Sequence, residues 1–251
     1  MSDRANQEAP VPANQHPVVL PAEALEGTDA DLVDANIDVV NAMYAELLGE
    51  DEISLNALRS YYVDFYLTEA LEGGFAQYVV SAGDREGLDE LIRDGLREMG
   101  ALRHLELFDA AAEAFDSLSD DDAEVYLVGD GEVSEAVAAI EALDDEFEEI
   151  LETEDLVALN GAWLRAQEGL LALDDDGIED EIARRVGLIP NLEERRAEAE
   201  ALEDGFDDAY DDDFEDDDAD LDDPEEADAD EAEDEGLDKE DAHEAEGVKQ
   251  R

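Results

Sequence analysis

The chain has 251 residues and a formal net charge of −65, from 79 acidic and 14 basic residues. Phosphate binding needs clustered lysine and arginine, so this composition excludes a nucleic-acid ligand. The chain has no cysteine, which excludes a disulfide framework, a thiolate nucleophile and a zinc site with cysteine ligands.

The negative charge extends over the whole chain. Residues 203–251 hold 27 acidic and 3 basic residues, and residues 1–202 hold the other 52 acidic and 11 basic residues. The only lysines are Lys239 and Lys249, so residues 1–202 use arginine alone. This pattern favours adaptation to a high-salt cytoplasm, in which carboxylates hold hydrated, non-specific cations. A dedicated acidic interaction surface is the alternative explanation, and the two are compatible.

Residues 1–27 contain four of the six prolines among small and polar residues. Such a segment has little apolar surface to bury, so we expect a disordered or extended lead-in. The chain has no run of 18 apolar residues, and its polar start is not followed by the apolar stretch of a signal peptide. The sequence therefore predicts a cytoplasmic protein without a membrane partner.

From Thr28 onward, apolar residues recur at the spacing of helix faces. Thr28 is the predicted cap of a first helix that ends at Gly49, and Ser54 is the predicted cap of a second. Residues 58–83 hold six of the fourteen Phe and Tyr residues and the only Gly-Gly pair. The paired glycines at 73 and 74 predict a tight corner between two helices that pack through these aromatics.

Helical patterns continue through the rest of the body. Four further stretches have the apolar spacing of amphipathic helices: residues 84–100, 105–115, 134–151 and 156–164. Val125–Val128 has strand-like character, but we predict a helix there because the sequence offers no second strand to pair with it. Residues 167–202 hold two shorter amphipathic pieces that either pack on the body or extend from it.

The sequence therefore predicts an all-α fold, a single compact multi-helix bundle with a disordered N-terminal lead-in and an acidic C-terminal tail. The tail has too few apolar residues to offset the entropy of the chain. The predicted parts are a lead-in, a helical domain, a helical extension and a disordered acidic tail, at residues 1–27, 28–166, 167–202 and 203–251.

No residue pattern in the chain is typical of catalysis. Among three histidines, only His104 lies in the helical body, at a predicted helix start where we expect a surface or capping role. No Gly-x-Ser-x-Gly turn is present. A calcium loop with Gly177 at its sixth position would place Ala172 and Ala183 at the first and twelfth ligand positions. We therefore expect a non-enzymatic protein without a cofactor or a specific metal site.

One predicted helix carries a dense row of carboxylates. Carboxylates three and four residues apart on a helix are about 5–6 Å apart, the same order as duplex phosphates, which recur about every 3.4 Å of axis on each strand. Such a row fits the basic groove of a DNA-binding protein, and a solvated helix face is the alternative. The candidate partner-binding residues are Asp144, Asp145, Glu146, Glu148, Glu149 and Glu152.

A series of motifs surrounds the paired glycines. A Glu precedes a Gly-Gly-Phe-x-Gln-Tyr sequence, and the residues concerned are Glu69, Gly73, Gly74, Phe75, Gln77 and Tyr78. They are followed by Ser81, Gly83, Met99–Ala101, Ala111 and Phe115, and then by weaker matches at Leu143–Phe147 and Trp163. Over about residues 30–166 the series resembles the all-helical DNA-mimic protein (DMP-type) family. The chain departs from it at Glu72 and near Ser81, where that family commonly has Asn.

The resemblance implies a non-enzymatic all-α protein, often a homodimer, that imitates duplex charge and occupies a basic DNA-binding protein such as a transcription factor. At 1 M salt, charges are screened beyond about 3 Å. In a salty cytoplasm such binding would have to rest on close Arg–carboxylate contacts and apolar burial. The alternative is a structural or stress-related helical domain whose acidity is only adaptation to salt.

Overall fold

The structure, a computed structural model, describes residues 16–211. In this part of the chain it contains nine α-helices, so the predicted all-α fold is confirmed. The helices are α1 (Asp29–Ala45), α2 (Leu55–Ala82), α3 (Glu86–Met99), α4 (Leu102–Asp116), α5 (Asp120–Val128), α6 (Glu135–Leu151), α7 (Leu156–Arg165), α8 (Asp175–Val186) and α9 (Leu192–Asp211). The remaining elements are β1 (Val19–Pro21), β2 (Leu171–Leu173) and 3-10 turns at Ala24–Glu26 and Glu50–Glu52.

Side-chain caps fix most of the helix starts. Thr28 and Asp31 form a reciprocal capping box at α1, which confirms the predicted role of Thr28. Other first-turn N–H groups are accepted by the side chains of Ser119, Ser134, Asp155 and Asp174. Ser54 precedes α2 but makes no side-chain capping hydrogen bond. The helix predicted at residues 125–128 is the end of α5, which stops at Gly129 in the left-handed conformation.

The predicted lead-in differs from the structure over residues 16–27. Val18, Val19 and Leu20 are buried, and β1 pairs in parallel with β2, with Val19 opposite Leu171. A three-residue strand whose partner lies far along the chain leaves no alternating pattern in the sequence. Its prolines and polar neighbours therefore suggested disorder. Residues 1–15 of the predicted lead-in lie outside the described residues.

The first of two main cores, the corner core, surrounds the predicted corner of α2. The helix is interrupted at Gly73 and Gly74, where Gly74 has φ +68° and ψ −164°, so the predicted corner is confirmed. The Tyr66 ring meets the Phe108 ring edge-on at 4.9 Å between centroids, and Tyr78 meets Phe108 at 5.6 Å. Other buried members come from α2, α3, α4, α6 and α7 and include Val63, Phe75, Ile92, Leu96, Phe147, Ile150 and Leu156.

The second core, the flanking core, joins the two ends of the described chain. Its buried members come from β1, α1, the start of α2, α7 and the region of α8, and they include Val19, Leu20, Leu32, Val40, Met43, Ile53, Leu58, Leu164, Ile182 and Val186. Residues 167–202 were predicted either to pack on the body or to extend from it. Because Ile182 and Val186 of α8 lie in this core, the segment packs on the body.

A buried arginine holds the flanking core together. The Arg185 side chain is 1% exposed and pairs with Glu181 at 2.9 Å. It also donates to the carbonyl oxygen of Pro17 at 3.1 Å and lies 3.5 Å from that of Glu52. Hydrogen bonds from Arg184 and Arg185 lower the pKa of Glu181 to about 2. One guanidinium therefore links the chain before β1, the turn before α2 and α8.

The compact unit ends at Asp204, and a second unit begins at Gly205. The predicted tail at residues 203–251 starts inside α9, since this helix continues to Asp211. Residues 212–251 of that prediction lie outside the described residues. None of the described helices combines the length and the apolar composition that a membrane span requires.

Candidate protein-interaction surface

Helix α6 has one apolar face and one acidic face. Val137, Ile140, Phe147 and Ile150 are buried, at the three- and seven-residue intervals of a single helix face. This face packs against α4 and α2. The other side of the helix is left to solvent.

Six exposed carboxylates occupy this solvent side. We call them the α6 acidic face, which consists of Glu141, Asp145, Glu146, Glu148, Glu149 and Glu152. The helix contains no Lys or Arg, and within residues 16–202 no basic side chain forms an ion pair with any of the six. Sequence analysis identified five of them and missed Glu141. Its position four residues before Asp145 was the available signal.

The charge density of this face is close to that of a DNA strand. From Glu141 to Glu152 an α-helix rises about 16 Å at 1.5 Å per residue. One duplex strand places about five phosphates along the same length. Each like-charge pair at i, i+4 costs about 0.2–0.5 kcal/mol, which the buried apolar face of α6 offsets. Helix α6 therefore stays folded although no basic residue within it relieves the repulsion among its carboxylates.

Asp144 has a different role from the one predicted for it. Its side chain is half-buried, and Oδ1 accepts a 2.8 Å hydrogen bond from the backbone N–H of Phe75. Phe75 follows the interruption at Gly74, so its N–H starts a new helical segment without a carbonyl partner. Asp144 caps this segment from another helix, and burial raises the pKa of its carboxyl group. Spacing along α6 could not reveal a partner on α2.

The family-motif residues join the two halves of α2. Gln77 Nε2 and Ser81 Oγ, which follow the glycines, both donate to Glu69 Oε2, which precedes them, at 3.1 Å and 2.6 Å. Gln77 also donates to Ser81 Oγ at 3.0 Å. This network of Glu69, Gln77 and Ser81 therefore bridges the corner.

Two aromatic motif residues complete the corner from inside. Phe75 and Tyr78 are 2% and 0% exposed, and the Tyr78 hydroxyl donates to Asp89 at 2.6 Å. Burial and this hydrogen bond raise the pKa of Tyr78. All six motif residues from Glu69 to Tyr78 therefore shape the corner and its packing.

A second acidic row, missed by the sequence analysis, lies on α4 beside α6. Its exposed members are Glu106, Asp109, Glu113 and Asp116. Their i, i+3, i+7, i+10 spacing was a usable signal. Two arginines engage half of the row, since Arg93 of α3 lies 2.7 Å from Asp109 and Arg85, which precedes α3, lies 3.3 Å from Asp116. The α4 row is thus partly neutralised, whereas the α6 acidic face is not.

His104 is a buried residue, which corrects the surface or capping role expected from its position. Its side chain is fully buried, and Nε2 lies 3.0 Å from the carbonyl oxygen of Glu154. The ring packs against Phe147 at 5.6 Å between centroids. Burial lowers the pKa of His104. The start of α4 lies against the turn between α6 and α7, a contact that local sequence does not encode.

The remaining candidate sites are structural. Asp174 Oδ1 accepts the backbone N–H of Gly177 at 3.0 Å, so this acidic sequence is the cap of α8. Among the side chains that the structure describes, residues 16–202, no three His, Asp or Glu are grouped as metal ligands.

The fold and this surface define the class of the molecule, an all-α protein with a corner in one long helix and an unneutralised acidic helix beside it. Residues 51–167 match the model of the DMP19-like protein family. The match includes α2 to α7, and it confirms the resemblance indicated by the motifs at the corner. It identifies this segment, with the corner core and the α6 acidic face, as DMP19-like. No curated protein and no solved structure matches the chain significantly.

Proposed function

We propose that the protein is a non-enzymatic interaction protein that occupies the basic surface of a DNA-binding protein, such as a transcription factor, and thereby regulates it. The observation that carries this proposal is the α6 acidic face. Its six exposed carboxylates have no basic partner among the described residues and repeat at a density close to that of phosphates. The DMP19-like match over residues 51–167 supports the same conclusion.

The physical basis of the proposal is competition for arginine and lysine. A DNA-binding protein gains most of its non-specific affinity from contacts between its basic side chains and phosphates. A rigid helix that presents carboxylates at similar intervals satisfies the same side chains. Carboxylates also accept bidentate hydrogen bonds from arginine.

A pull-down with matched variants tests the proposal. The immobilised full chain is exposed to a lysate of the source cell at its native ionic strength, and retained proteins are identified. One variant neutralises α6 through Asp145→Asn, Glu148→Gln, Glu149→Gln and Glu152→Gln. The control neutralises four exposed acids of α8, outside the matched segment, through Asp175→Asn, Asp176→Asn, Glu179→Gln and Asp180→Asn.

We expect the unaltered protein and the α8 control to retain the same DNA-binding protein, and the α6 variant to lose it. The proposal fails if the unaltered protein retains no DNA-binding protein. It also fails if the α6 variant and the α8 control retain equal amounts.

A structural or stress-related helical domain is the second candidate function. The absence of lysine from residues 1–202 favours it, because acidity would then serve only solvation in high salt. On this hypothesis the α6 and α8 variants lose solubility to the same extent, and neither loses a specific partner. The same pull-down therefore separates the two functions.

A further inference from the structure

An open groove of about 470 Å³ lies where the end of α1, the start of α2 and the turn between α2 and α3 meet. We call it the aromatic groove, and the residues that define it are Tyr44, Glu50, Tyr61, Tyr62, Phe65 and Asp84. The four aromatic side chains are partly buried, and both carboxylates are exposed. None of its described lining residues is basic.

The hydroxyl protons of the groove are already donated to acceptors in the protein. The Tyr61 hydroxyl donates to Asn41 Oδ1 at 3.0 Å. The Tyr62 hydroxyl lies 3.4 Å from Glu50 Oε1 and must be the donor there, because an ionised carboxylate only accepts. The 3.0 Å contact between the Tyr44 and Tyr62 hydroxyls then uses the proton of Tyr44.

The hydroxyl protons of Tyr44 and Tyr62 remain in place at physiological pH. Burial and the hydrogen bond to Tyr62 raise the pKa of Tyr44, and burial raises the pKa of Tyr62. Ser81, which also lines the groove, donates its proton to Glu69 at 2.6 Å. The phenol, hydroxyl and carboxylate oxygens of the groove can therefore offer a ligand only lone pairs.

The aromatic rings add a preference for a cation. Tyr44 and Tyr61 lie 6.2 Å apart at 69°, and Tyr61 and Tyr62 lie 5.1 Å apart at 90°. The face of a tyrosine ring attracts cations, and these three tyrosines line the groove while remaining partly exposed. With Glu50 and Asp84 at the margin, the groove suits a positively charged group that only donates hydrogen bonds.

Arginine meets these requirements better than the other cations of proteins. Its guanidinium has five N–H donors and no acceptor. It is planar, stacks on aromatic faces and pairs with carboxylates through two hydrogen bonds, whereas the lysine ammonium is a compact, strongly hydrated charge. The volume of the groove also leaves room for the backbone beside such a side chain.

We infer that the aromatic groove binds an arginine side chain presented by a partner protein. The inference rests on the proposed function in taking that partner to be basic. Stacking and bidentate hydrogen bonds act at contact, so they persist in molar salt, where charges are screened beyond about 3 Å. The groove therefore supplies a salt-resistant contact, in addition to the charge attraction of the α6 acidic face.

Peptide titration of the full chain tests the inference. The probes are acetyl-Gly-Arg-Gly-amide and the matching peptides with lysine and with citrulline, a neutral arginine isostere with an acceptor oxygen. Binding is followed by NMR shifts of assigned residues in low and in molar potassium chloride. We expect the arginine peptide to shift the groove residues and to bind about tenfold more tightly than the citrulline peptide. Its dissociation constant should change by less than about threefold between the two salt concentrations.

Two conservative variants locate the site. Asp84→Asn removes a charge but keeps an acceptor for the backbone N–H of Glu86, which Asp84 accepts at 3.3 Å. Tyr61→Leu removes an aromatic ring. Each variant should raise the dissociation constant of the arginine peptide by about three- to tenfold. The NMR shifts of residues remote from the groove should stay unchanged. Glu149→Gln on α6 should not change the dissociation constant of the arginine peptide.

The possible outcomes test the inference about the groove separately from the proposed function. Equal binding of the arginine and citrulline peptides, or shifts confined to α6, overturns the inference. So does a captured DNA-binding protein whose affinity is unchanged by Asp84→Asn and by Tyr61→Leu. Selective binding of the arginine peptide at the groove supports the inference, even where the lysate yields no DNA-binding protein and the proposed function fails.

Discussion

The corner core and the flanking core are assembled in opposite ways. The corner core grows around one helix, whose aromatics recur at helical spacing on both sides of Gly73 and Gly74. It lies inside the DMP19-like segment, residues 51–167. The flanking core instead joins β1 and α1, from before that segment, to β2 and α8, from after it. The comparison shows that the family segment does not account for the whole described fold, because a second core joins the two ends of the described part of the chain.

Charged groups that reach across from remote elements complete both cores. Asp144, a carboxylate, caps the broken helix of the corner core. The flanking core uses arginines, because Arg185 bridges three segments and Arg195 of α9 donates to the carbonyl oxygen of Leu47 at 2.8 Å. Arg195 also pairs with Glu52 at 2.7 Å. A chain with only 14 basic residues therefore places two of them at the flanking core.

The largest expected loss of stability comes from a substitution that disrupts the flanking core. Arg185→Met keeps most of the buried stem but removes the guanidinium, which leaves two backbone carbonyls without their partner and Glu181 paired with Arg184 alone. A buried polar group left without a hydrogen bond costs about 1–3 kcal/mol, so we expect the free energy of unfolding, measured by urea denaturation, to fall by about 2–5 kcal/mol.

The control for Arg185 is Arg196→Gln. Arg196 pairs with Glu193 at 3.1 Å, and the side chains are 55% and 89% exposed, so its loss should cost less than about 1 kcal/mol. Similar losses for the two variants would show that Arg185 does not hold the flanking core.

The next largest loss of stability comes from a substitution at the corner core. In Gly74→Ala the new Cβ would lie 2.6 Å from the Asp144 carboxyl group, and the φ and ψ angles there are almost exclusive to glycine. Backbone strain of about 1–3 kcal/mol and loss of the Asp144 cap, about 1 kcal/mol, should lower the free energy of unfolding.

Gly83→Ala is the matched control for the corner. Gly83 also has a positive φ, 62°, but a Cβ there meets no atom within 4 Å. Its ψ of −99° also lies outside the regions that other residues adopt, so Gly83→Ala should cost backbone strain alone, about 1–3 kcal/mol. If thermal and urea unfolding show that Gly83→Ala costs as much as Gly74→Ala, the cap from Asp144 contributes nothing to the corner.

The smallest expected effect comes from a buried charge where α1 meets α2. Asp64 of α2 is half-buried, and burial, with the nearby charge of Asp34, raises its pKa from 3.8 to about 6. A raised pKa means that the protonated form is favoured by folding. Its stabilising contribution is therefore complete below the unfolded value and is lost as pH rises through about 6.

Asp64→Asn should remove this pH-dependent loss. We expect the variant to be more stable than the unaltered protein at neutral pH by about 1 kcal/mol, after allowance for solvent screening, and equally stable near pH 3. Urea denaturation across this range measures the difference. A variant that is less stable at neutral pH would refute the assignment of an unfavourable buried charge to Asp64.

The corner was predictable because its signals are local. Aromatics three and four residues apart and a Gly-Gly pair specify helix, break and helix without reference to other parts of the chain. The exposed acids of α6 were predictable for the same reason, since Phe147 and Ile150 fix which side is buried. Asp144 was not, because its partner Phe75 lies 69 residues away.

The flanking core could not be predicted because its contacts are remote and its segments are short. β1 and β2 have three residues each, too few for a strand pattern, and Pro21 suggested a loop. The carbonyl partner of His104 lies 50 residues away. The buried state of Arg185 depends on Pro17, 168 residues away, so no window of sequence contains both.

The central claim is that the α6 acidic face takes the place of DNA on a basic partner. The most direct measurement is displacement of a fluorescent duplex from the captured DNA-binding protein at native ionic strength. The unaltered protein and the α8 control should displace the duplex, and the neutralised α6 variant should leave it bound. Failure of the unaltered protein to displace the duplex, or equal displacement by the α6 variant, would contradict the claim.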